Sequence, residues 1–359
     1  PFIEIDINGV TRQAQYDSGT GTNALTFRYT IVTDEEDLDG IAFVGNNINL
    51  NGATIQDVGG NDITLDMTVN SALPSLASVN VEAVHPTITG VTPPADTTYI
   101  IGDDLDFVVQ FDENVDVTNV PRIEITLNSG TVYADYLSGT GTQNITYRYT
   151  VAASEEDLDG IALVSPLDLN TTGTINDQWG NTAELTYTPP LTNVVLVDGV
   201  IPTVTIDTYP NIDFTNEATY TFSGTCSENG ELVNVDIGGL TDTPTCNALA
   251  WTSTIDTSTL AESADNTVAD IPITADHADA GGNDAVQATQ TIIKDSIIPT
   301  VGSNSINAQT YIIGDNIQVI VNYNEVVTVS GTPRIAVTLD TQAILQSMQH
   351  TLVVQDHQF

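Results

Sequence analysis

The chain has 359 residues, with 48 aspartates and glutamates against 6 lysines and arginines, and a formal charge of −42. This balance excludes nucleic acid as a partner and argues against an anionic membrane surface, because both need clustered basic side chains. Only 15% of the residues are charged and the mean hydropathy is +0.01, so the composition is that of a folded protein. A folded chain this acidic needs a neutralising cation, and a metal ion is the first candidate.

The predicted elements are nearly all β-strands. Residues 3–8 alternate apolar and polar side chains with period two, and residues 123–128 and 335–340 repeat the pattern. Residues 105–111 and 317–323 are apolar, β-branched or aromatic runs with the length of buried strands. Clusters of Gly, Asn, Asp and Thr separate these runs about every 8–12 residues, as in β-sandwiches. The sequence therefore predicts an all-β protein built from tandem β-sandwiches.

Internal repeats organise the chain. Glu35–Ala42 recurs letter for letter at Glu155–Ala162, an offset of 120 residues, and residues 98–103 recur at 310–315, an offset of 212. A joint also recurs, in which an acidic residue stands four positions before Pro-Thr. These joints predict the following segments: 1–85, a partial domain of type A without its leading strands; 86–201, a complete type A domain; 202–298, a domain of different type B; and 299–359, a partial type A domain with an atypical tail.

The two partial domains allow two interpretations. Residue 333 is the repeat equivalent of residue 1, so residues 299–332 carry the leading strands that the first segment lacks. The chain is either cut from a longer tandem array or is a subunit whose last strands complete the first domain of the next copy, which would build a head-to-tail filament. The stretch after Thr341 departs from its repeat, and we expect no function there.

Two sets of motifs resemble a known class of protein. Thr221–Asn229, followed by Val235–Gly239 and Trp251, resembles the bacterial immunoglobulin-like repeats of giant surface adhesins of the RTX and biofilm type. The type A motifs Tyr-x-x-Gly-Asp, Gly-Thr-Gly-Thr and Asp-x-x-Gly-Asn resemble another repeat family of the same adhesins. The resemblance implies elongated arrays of immunoglobulin-like sandwiches, extracellular and secreted or held at the cell surface, which serve cell adhesion as spacers and are often stiffened by calcium. The receptor-binding domains of such adhesins usually lie elsewhere.

Acidic residues recur in register around the joints. Each joint has a linker acid, a glutamate after the first buried strand about thirty residues later, and an Asp-x-x-Gly-Asn motif late in the domain. An immunoglobulin-like sandwich places the two loops and the entering chain at one end. Calcium takes six to eight oxygen ligands, so the pattern predicts calcium at the joints, with turn formation by Asp-x-x-Gly-Asn as the alternative. The candidate ligands are Glu82, Asp198 and Asp295 in the linkers; Glu113, Glu228 and Glu325 after the first strand; and Asp57, Asp177, Asn181, Asp279 and Asn283 in the late loops.

A further acidic cluster occupies residues 34–40 and its copy 154–160. It contains Asp-x-Asp-Gly, but the twelfth position counted from Asp37 is Ile48, where an EF-hand needs glutamate. We expect a solvated turn here, with an intradomain calcium loop as the alternative.

Cys226 and Cys246 are the only cysteines, and we expect them to pair in an oxidising exterior; the alternative is two buried thiols. Trp251 is expected to pack in the core, and Arg28 and Arg148 to balance neighbouring acids.

An enzymatic function is not indicated. The sequence has no HExxH, G-x-S-x-G or phosphate-binding glycine loop, and His85 and His277 fall at non-equivalent places in the repeats. We expect a non-catalytic structural or adhesive segment whose partners are calcium ions and neighbouring repeats or copies of itself. A set of accessory modules in a secreted enzyme is a further alternative.

Overall fold

The structure, a computed structural model, describes residues 1–264 and 268–338. Regular structure there is β apart from one 3₁₀ turn at Glu217–Thr219, which confirms the all-β prediction. None of the helical structure in these ranges is long and apolar enough to cross a membrane. The strands are β1 Phe2–Ile7, β2 Val10–Ser18, β3 Thr26–Arg28, β4 Glu36–Asp37, β5 Ala42–Phe43, β6 Val81–Glu82, β7 Ile88–Thr92, β8 Thr98–Ile100, β9 Asp104–Thr118, β10 Arg122–Leu127, β11 Gly130–Ser138, β12 Thr142–Thr150, β13 Glu156–Asp157, β14 Ala162–Asp168, β15 Thr174–Asn176, β16 Leu196–Asp198, β17 Ile212–Asp213, β18 Tyr220–Thr225, β19 Val233–Ile237, β20 Leu240–Asp242, β21 Ala250–Ile255, β22 Ile271–His277, β23 Ala288–Ile292, β24 Lys294–Asp295, β25 Val301–Ile306 and β26 Val319–Tyr323.

The segment 86–201 is built on a seven-stranded sheet in the order β14-β10-β11-β12-β9-β15, with β7 also on β9. A second sheet, β13-β16-β8, faces the same core, since Val197 of β16 is fully buried there and Tyr99 of β8 packs against it. The long strand β9 buries alternate residues, among them Phe107 and Val109, as period-two patterning requires. Two sheets thus enclose one apolar core.

The segment 202–298 has a core of its own. The strand order is β20-β19-β22-β23 in one sheet, and the pairs β18-β21 and β17-β24 complete the set. Trp251 is 1% exposed and packs edge-on against Phe222, which confirms its core role. The predicted disulfide between Cys226 and Cys246 is present, with both residues in the same core.

One buried cation lies in this second core. Lys294, the sole lysine of the chain, is 1% exposed. Its Nζ donates to the carbonyl oxygens of Leu260 at 2.8 Å and Ser258 at 3.3 Å. Carboxylate oxygens of Glu217 and Glu262 lie 3.3 and 3.7 Å away, so hydrogen bonds and opposite charges compensate the loss of hydration.

The outer segments carry smaller sheets. Residues 1–85 form the sheet β3-β2-β1-β5 and the pair β4-β6, while β25 and β26 pair antiparallel in the last segment. Residues 317–323 were expected to form a buried strand, and this was wrong: the strand is Val319–Tyr323, and Ile320 is 54% exposed. The predicted strand at 335–340 is absent from the described residues 335–338. The tail from Thr341 lies outside the described residues.

The expectation of a solvated turn in the acidic cluster was wrong for its central aspartate, while Asp39 and Asp159 are exposed as expected. Asp37 and its repeat Asp157 are 4% and 3% exposed. Asp157 accepts hydrogen bonds from the backbone N–H groups of Gly160 at 2.8 Å and Asn128 at 3.1 Å, and Asp37 makes the matching pair of bonds in the first segment. Burial raises the pKa of Asp157. These carboxylates tie a turn to the adjacent hairpin, and their oxygens face backbone donors.

The arginines balance acids as expected. Arg148 contacts Asp106 and Asp104, each at 2.7 Å. Arg28 lies 3.3 Å from Asp17 on the neighbouring strand.

Candidate metal centre

Each Asp-x-x-Gly-Asn motif forms a hydrogen-bonded turn around its aspartate. In the second copy, Oδ1 of Asp177 accepts from the backbone N–H groups of Trp179 at 2.8 Å, Gly180 at 2.6 Å and Asn181 at 2.8 Å. Gly180 has φ +101°, a conformation that glycine adopts without strain. In this copy, turn formation therefore accounts for the backbone hydrogen bonds to Asp177 Oδ1. The other oxygen, Oδ2, is left to contact other groups. Matching turns surround Asp57 and Asp279.

The first joint comprises Glu82, Glu113, Asp177 and Asn181. The side-chain amide of Asn181 donates to Asp177 Oδ2 at 2.7 Å and to the carboxylate of Glu82, so it lies between the two acids. His85 contacts the carbonyl of Thr182 at 2.7 Å across the same joint. The linker acid and the late loop of the following segment therefore meet.

Like charges perturb the acids of the first joint. Burial raises the pKa of Glu82, and a hydrogen bond with Asp177 and the charges of Asp177 and Glu113 raise it further. Burial also raises the pKa of Glu113, and the charges of Asp177, Asp112 and Glu36 raise it further. Although burial opposes ionisation of Asp177, hydrogen bonds from Asn181, Glu82 and the turn hold its pKa below the ordinary value. The ionised acids of this joint therefore repel one another, and a cation between them would remove this unfavourable interaction.

The second joint comprises Asp198, Glu228, Asp279 and Asn283. The amide of Asn283 donates to the carbonyl of Asp198 and to Asp279 Oδ2, both at 2.9 Å. Its Oδ1 accepts from the backbone of Ile101 at 3.3 Å. Burial raises the pKa of Asp198, and the charges of Asp279 and Glu228 add to the effect.

Two of the three carboxylates of the second joint, Asp198 and Asp279, border a glycine. A Cβ added to Gly281 would lie 3.0 Å from Asp198 Oδ2 and 3.3 Å from Asp279 Oδ1. The two oxygens therefore flank one small space above the glycine, which a side chain at this position would fill. This geometry lets the linker acid approach the late loop closely.

The third joint and the first late loop are less complete. Asp295 pairs with Asp213 in β24-β17, and one buried oxygen of Glu325, Oε1, has no hydrogen-bond partner among the described residues. Asp57 lies in a late loop whose turn is intact, but no linker acid of the chain precedes it. The structure brings together the predicted residues of the first and second joints.

Sequence reasoning missed one acid at each of the first two joints. Strand pairing places Glu36 opposite Glu82 and Glu156 opposite Asp198. Like charges directly opposite in a ladder are unfavourable. The recurrence of Glu36 as Glu156 was visible in the sequence, but its pairing with the linker acid depended on the β4-β6 and β13-β16 registers.

The carboxylate and amide oxygens of the joints are ligands of the type that a hard cation prefers. In the described part of the structure, however, they lie too far apart to hold one. Within residues 1–264 and 268–338, no three His, Cys, Asp or Glu side chains are gathered closely enough to hold one ion. At the first joint, the amide nitrogen of Asn181 lies where its oxygen would have to point to act as a ligand.

No protein-family model matches the chain, and no curated protein matches it. Among solved structures, the human OSCAR ligand-binding domain is similar at 8% identity, with a TM-score of 0.23 over 58% of this chain and 98% of that domain. A similarity this weak carries no argument about this chain.

Proposed function

We propose that this chain is a non-catalytic structural segment of an extracellular or cell-surface adhesin, in which calcium ions stiffen the joints between β-sandwich domains. The observation that carries the proposal is the meeting of linker acid and late loop at two successive joints. Glu82 meets Asp177 and Asn181 at the first, and Asp198 meets Asn283 at the second. The late loop belongs to a type A segment at the first joint and to the type B segment at the second, so the common arrangement reflects the joint itself.

Electrostatics favour an ion at these places. Acids from separate segments come together, and burial, followed by the charges of neighbouring acids, raises the pKa values of Glu82, Glu113 and Asp198. A divalent cation turns this repulsion into attraction and so links the segments. Calcium suits the joints better than magnesium, because it accepts six to eight carboxylate, amide and carbonyl oxygens in flexible geometry.

An extracellular setting agrees with the same chemistry. The disulfide between Cys226 and Cys246 belongs to oxidising compartments. Extracellular calcium modules bind with dissociation constants of about 10⁻⁴–10⁻³ M, a range that open, hydrogen-bonded joints would match. Much of the charge of −42 lies away from the joints and keeps the surface soluble.

A calcium titration tests the proposal. We expect calcium to raise the melting temperature and to lengthen the particle in small-angle scattering, with both effects reversed by EDTA. Glu82→Gln should weaken the response of the first joint. The control is Glu124→Gln, which removes the same charge from strand β10. Identical melting and scattering with calcium and with EDTA would disprove the proposal.

A further inference from the structure

The type A motif Tyr-x-x-Gly-Asp folds into a tight turn at the end of β8. Tyr99 packs against the core, and Gly102 has φ +88°. Asp103 closes the turn: its Oδ2 accepts the backbone N–H of Ile100 at 3.0 Å, and its own N–H donates to the carbonyl of Ile100 at 3.0 Å. The remaining residue of the motif, Ile101, is 37% exposed. The motif thus holds two isoleucines beside its turn.

The second copy of the motif folds in the same way. Asp315 accepts the backbone N–H of Ile312 at 2.9 Å and donates its own N–H to the carbonyl of Ile312 at 3.1 Å. Gly314 has φ +97°, as the turn requires. Both variable positions are isoleucine in each copy, although the turn itself depends on the glycine and the aspartate. The isoleucine side chains are therefore free for another role.

The isoleucines of the first copy contact the late loop of the type B segment. The backbone N–H of Ile101 donates to Oδ1 of Asn283 at 3.3 Å. A Cβ added to Gly281 would lie 3.5 Å from Cγ2 of Ile100, and one added to Gly282 would lie 4.0 Å from its Cδ1. The side chain of Ile100 therefore lies beside the two glycines of the loop.

Asn283 is the centre of this contact and is 4% exposed. Its amide donates to the carbonyl of Asp198 and to Asp279 Oδ2, while its Oδ1 accepts from Ile101. Because β8 pairs in parallel with β16, Ile100 lies opposite Asp198, so the motif and the linker present one continuous surface to the loop. Two of the three side-chain hydrogen bonds of Asn283 thus cross to the preceding segment, and they satisfy a buried polar group.

The third residue of the late loop decides whether the loop fits this surface. Gly281 occupies this position in the type B loop, and Trp179 occupies it in the loop of the first joint. A Cβ at position 281 would lie 3.0 Å from Asp198 Oδ2, which is tighter than an ordinary contact. A larger side chain there would push the loop away from the linker and from Ile100. Glycine is needed where two backbones approach this closely.

We propose that the isoleucine pair of Tyr-x-x-Gly-Asp is the docking surface on which a type A segment receives the segment that follows it. The surface accepts an Asp-x-x-Gly-Asn loop whose third residue is glycine, as in residues 57–61 and 279–283, and rejects a loop such as 177–181. The motif and the loop together determine which segments can follow one another. The contact uses protein groups alone, so it does not rest on the proposed calcium function.

A loop exchange tests the requirement for glycine. In the full chain in EDTA, Ala280→Gln with Gly281→Trp gives the type B loop the sequence of the loop at the first joint. We expect the protection of the Ile101 N–H from hydrogen exchange, measured by NMR, to fall more than about tenfold, because its acceptor moves away. The N–H of Asn283 should stay protected by its bond within the loop, which shows that the loop still folds.

A single methyl group makes a smaller change at the same place. Gly281→Ala puts a Cβ against Asp198 and should also lower the protection of Ile101. Gly59→Ala is the matched control, because the nearest atoms to its Cβ belong to its own loop, and neither glycine has a positive φ. The control should leave Ile101 unchanged. Full protection of Ile101 in both Gly281 variants would overturn the requirement for glycine.

The isoleucine is tested from the other side of the contact. Ile100→Ser should lower the protection of the Ile101 N–H and widen the distribution of particle lengths in small-angle scattering in EDTA. Val120→Ser, at a 43% exposed residue beyond the far end of β9, should change neither. The melting temperature of each variant shows that its segments remain folded. Equal effects of the two substitutions, or no effect of Ile100→Ser, would overturn the docking role of the motif.

Discussion

Asn181 donates its side-chain amide to the carboxylate of Glu82, a residue 99 positions earlier in the chain. The bond joins the linker that leaves the first segment to the late loop of the second. Asn283 reaches the backbone of Asp198 in the same way at the following joint. Two unlike domain types thus present similar late loops to the linker before them, and the chemistry of the joint is independent of the sandwich behind it.

Removing the charge of Glu82 should separate the role of the ion from that of the hydrogen bond. Glu82→Gln keeps a polar side chain beside Asn181 and relieves repulsion with Asp177 and Glu113. We expect a higher melting temperature than the unmodified chain in EDTA and a smaller gain on adding calcium. Differential scanning calorimetry measures both. Glu124→Gln serves as the matched control, and a full calcium response in Glu82→Gln would contradict the prediction.

The calcium-free chain should lose stability at the joints as the pH rises. Glu82, Glu113 and Asp198 have folded-state pKa values above their ordinary values, so the folded state binds protons more tightly than the unfolded state. Their contribution is complete below the ordinary values of 4.5 for glutamate and 3.8 for aspartate and is lost as the pH rises through the raised values. Asp177 acts oppositely, since its lowered pKa gives stability that disappears as the pH falls.

The pH effect of the joint is measured as a difference. Melting temperatures of the unmodified chain and of Glu82→Gln are compared across the acidic range in EDTA, which cancels the contributions of acids remote from Glu82. The difference should grow as the pH rises above 4.5 and shrink when calcium is added. A difference that does not change with pH would show that Glu82 keeps its ordinary pKa.

Reduction of the disulfide should destabilise one core only. Cys226 and Cys246 are separated by 20 residues, and a loop of this size contributes about 3 kcal/mol in the chain-entropy model. The double variant Cys226→Ser, Cys246→Ser should show this loss in urea unfolding. The fluorescence of buried Trp251 reports on this core, and a Trp179→Phe background removes the other tryptophan signal. Unfolding of the 86–201 core, followed by hydrogen exchange, should be unchanged. An equal shift of both cores would contradict their independence.

The buried aspartate of the acidic turn should matter for stability. Asp157→Ala removes the acceptor for the backbone N–H groups of Gly160 and Asn128, and a bond to a charged group is worth about 1.5–3 kcal/mol. We expect a loss of at least about 2 kcal/mol in urea unfolding. Asp159→Ala, at an exposed neighbour that binds the Asn128 side chain, should cost less than about 1 kcal/mol. Similar losses from both would restore the solvated-turn interpretation.

Patterns within the chain predicted much of this molecule. Period-two alternation at residues 123–128 gave β10, with Ile123 and Ile125 buried as expected. The recurrence of acids predicted the meeting of Glu82 with Asp177, because repeats that share a fold place equivalent loops alike. Comparison of the repeats within the chain therefore predicts which of their residues occupy equivalent places in the fold.

What the sequence did not reveal depended on pairing partners. Residues 317–323 have the composition of a buried strand, yet Ile320 stays exposed because burial requires a second sheet that the last segment does not supply within the described residues. Asp37 and Asp157 looked solvated because acids usually are, but the hairpin turns that follow β1 and β10 supply distant backbone donors to them. Composition cannot indicate which distant backbone groups will point at a carboxylate.

The burial of Lys294 has a practical consequence. A protease that cleaves only after lysine has one target bond in the whole chain, and that bond follows a side chain sealed in the 202–298 core. The folded molecule hides this target. Cleavage at low protease concentration therefore follows the population of chains in which this core has opened. The chain thus carries its own single-site probe of local opening, with no label added.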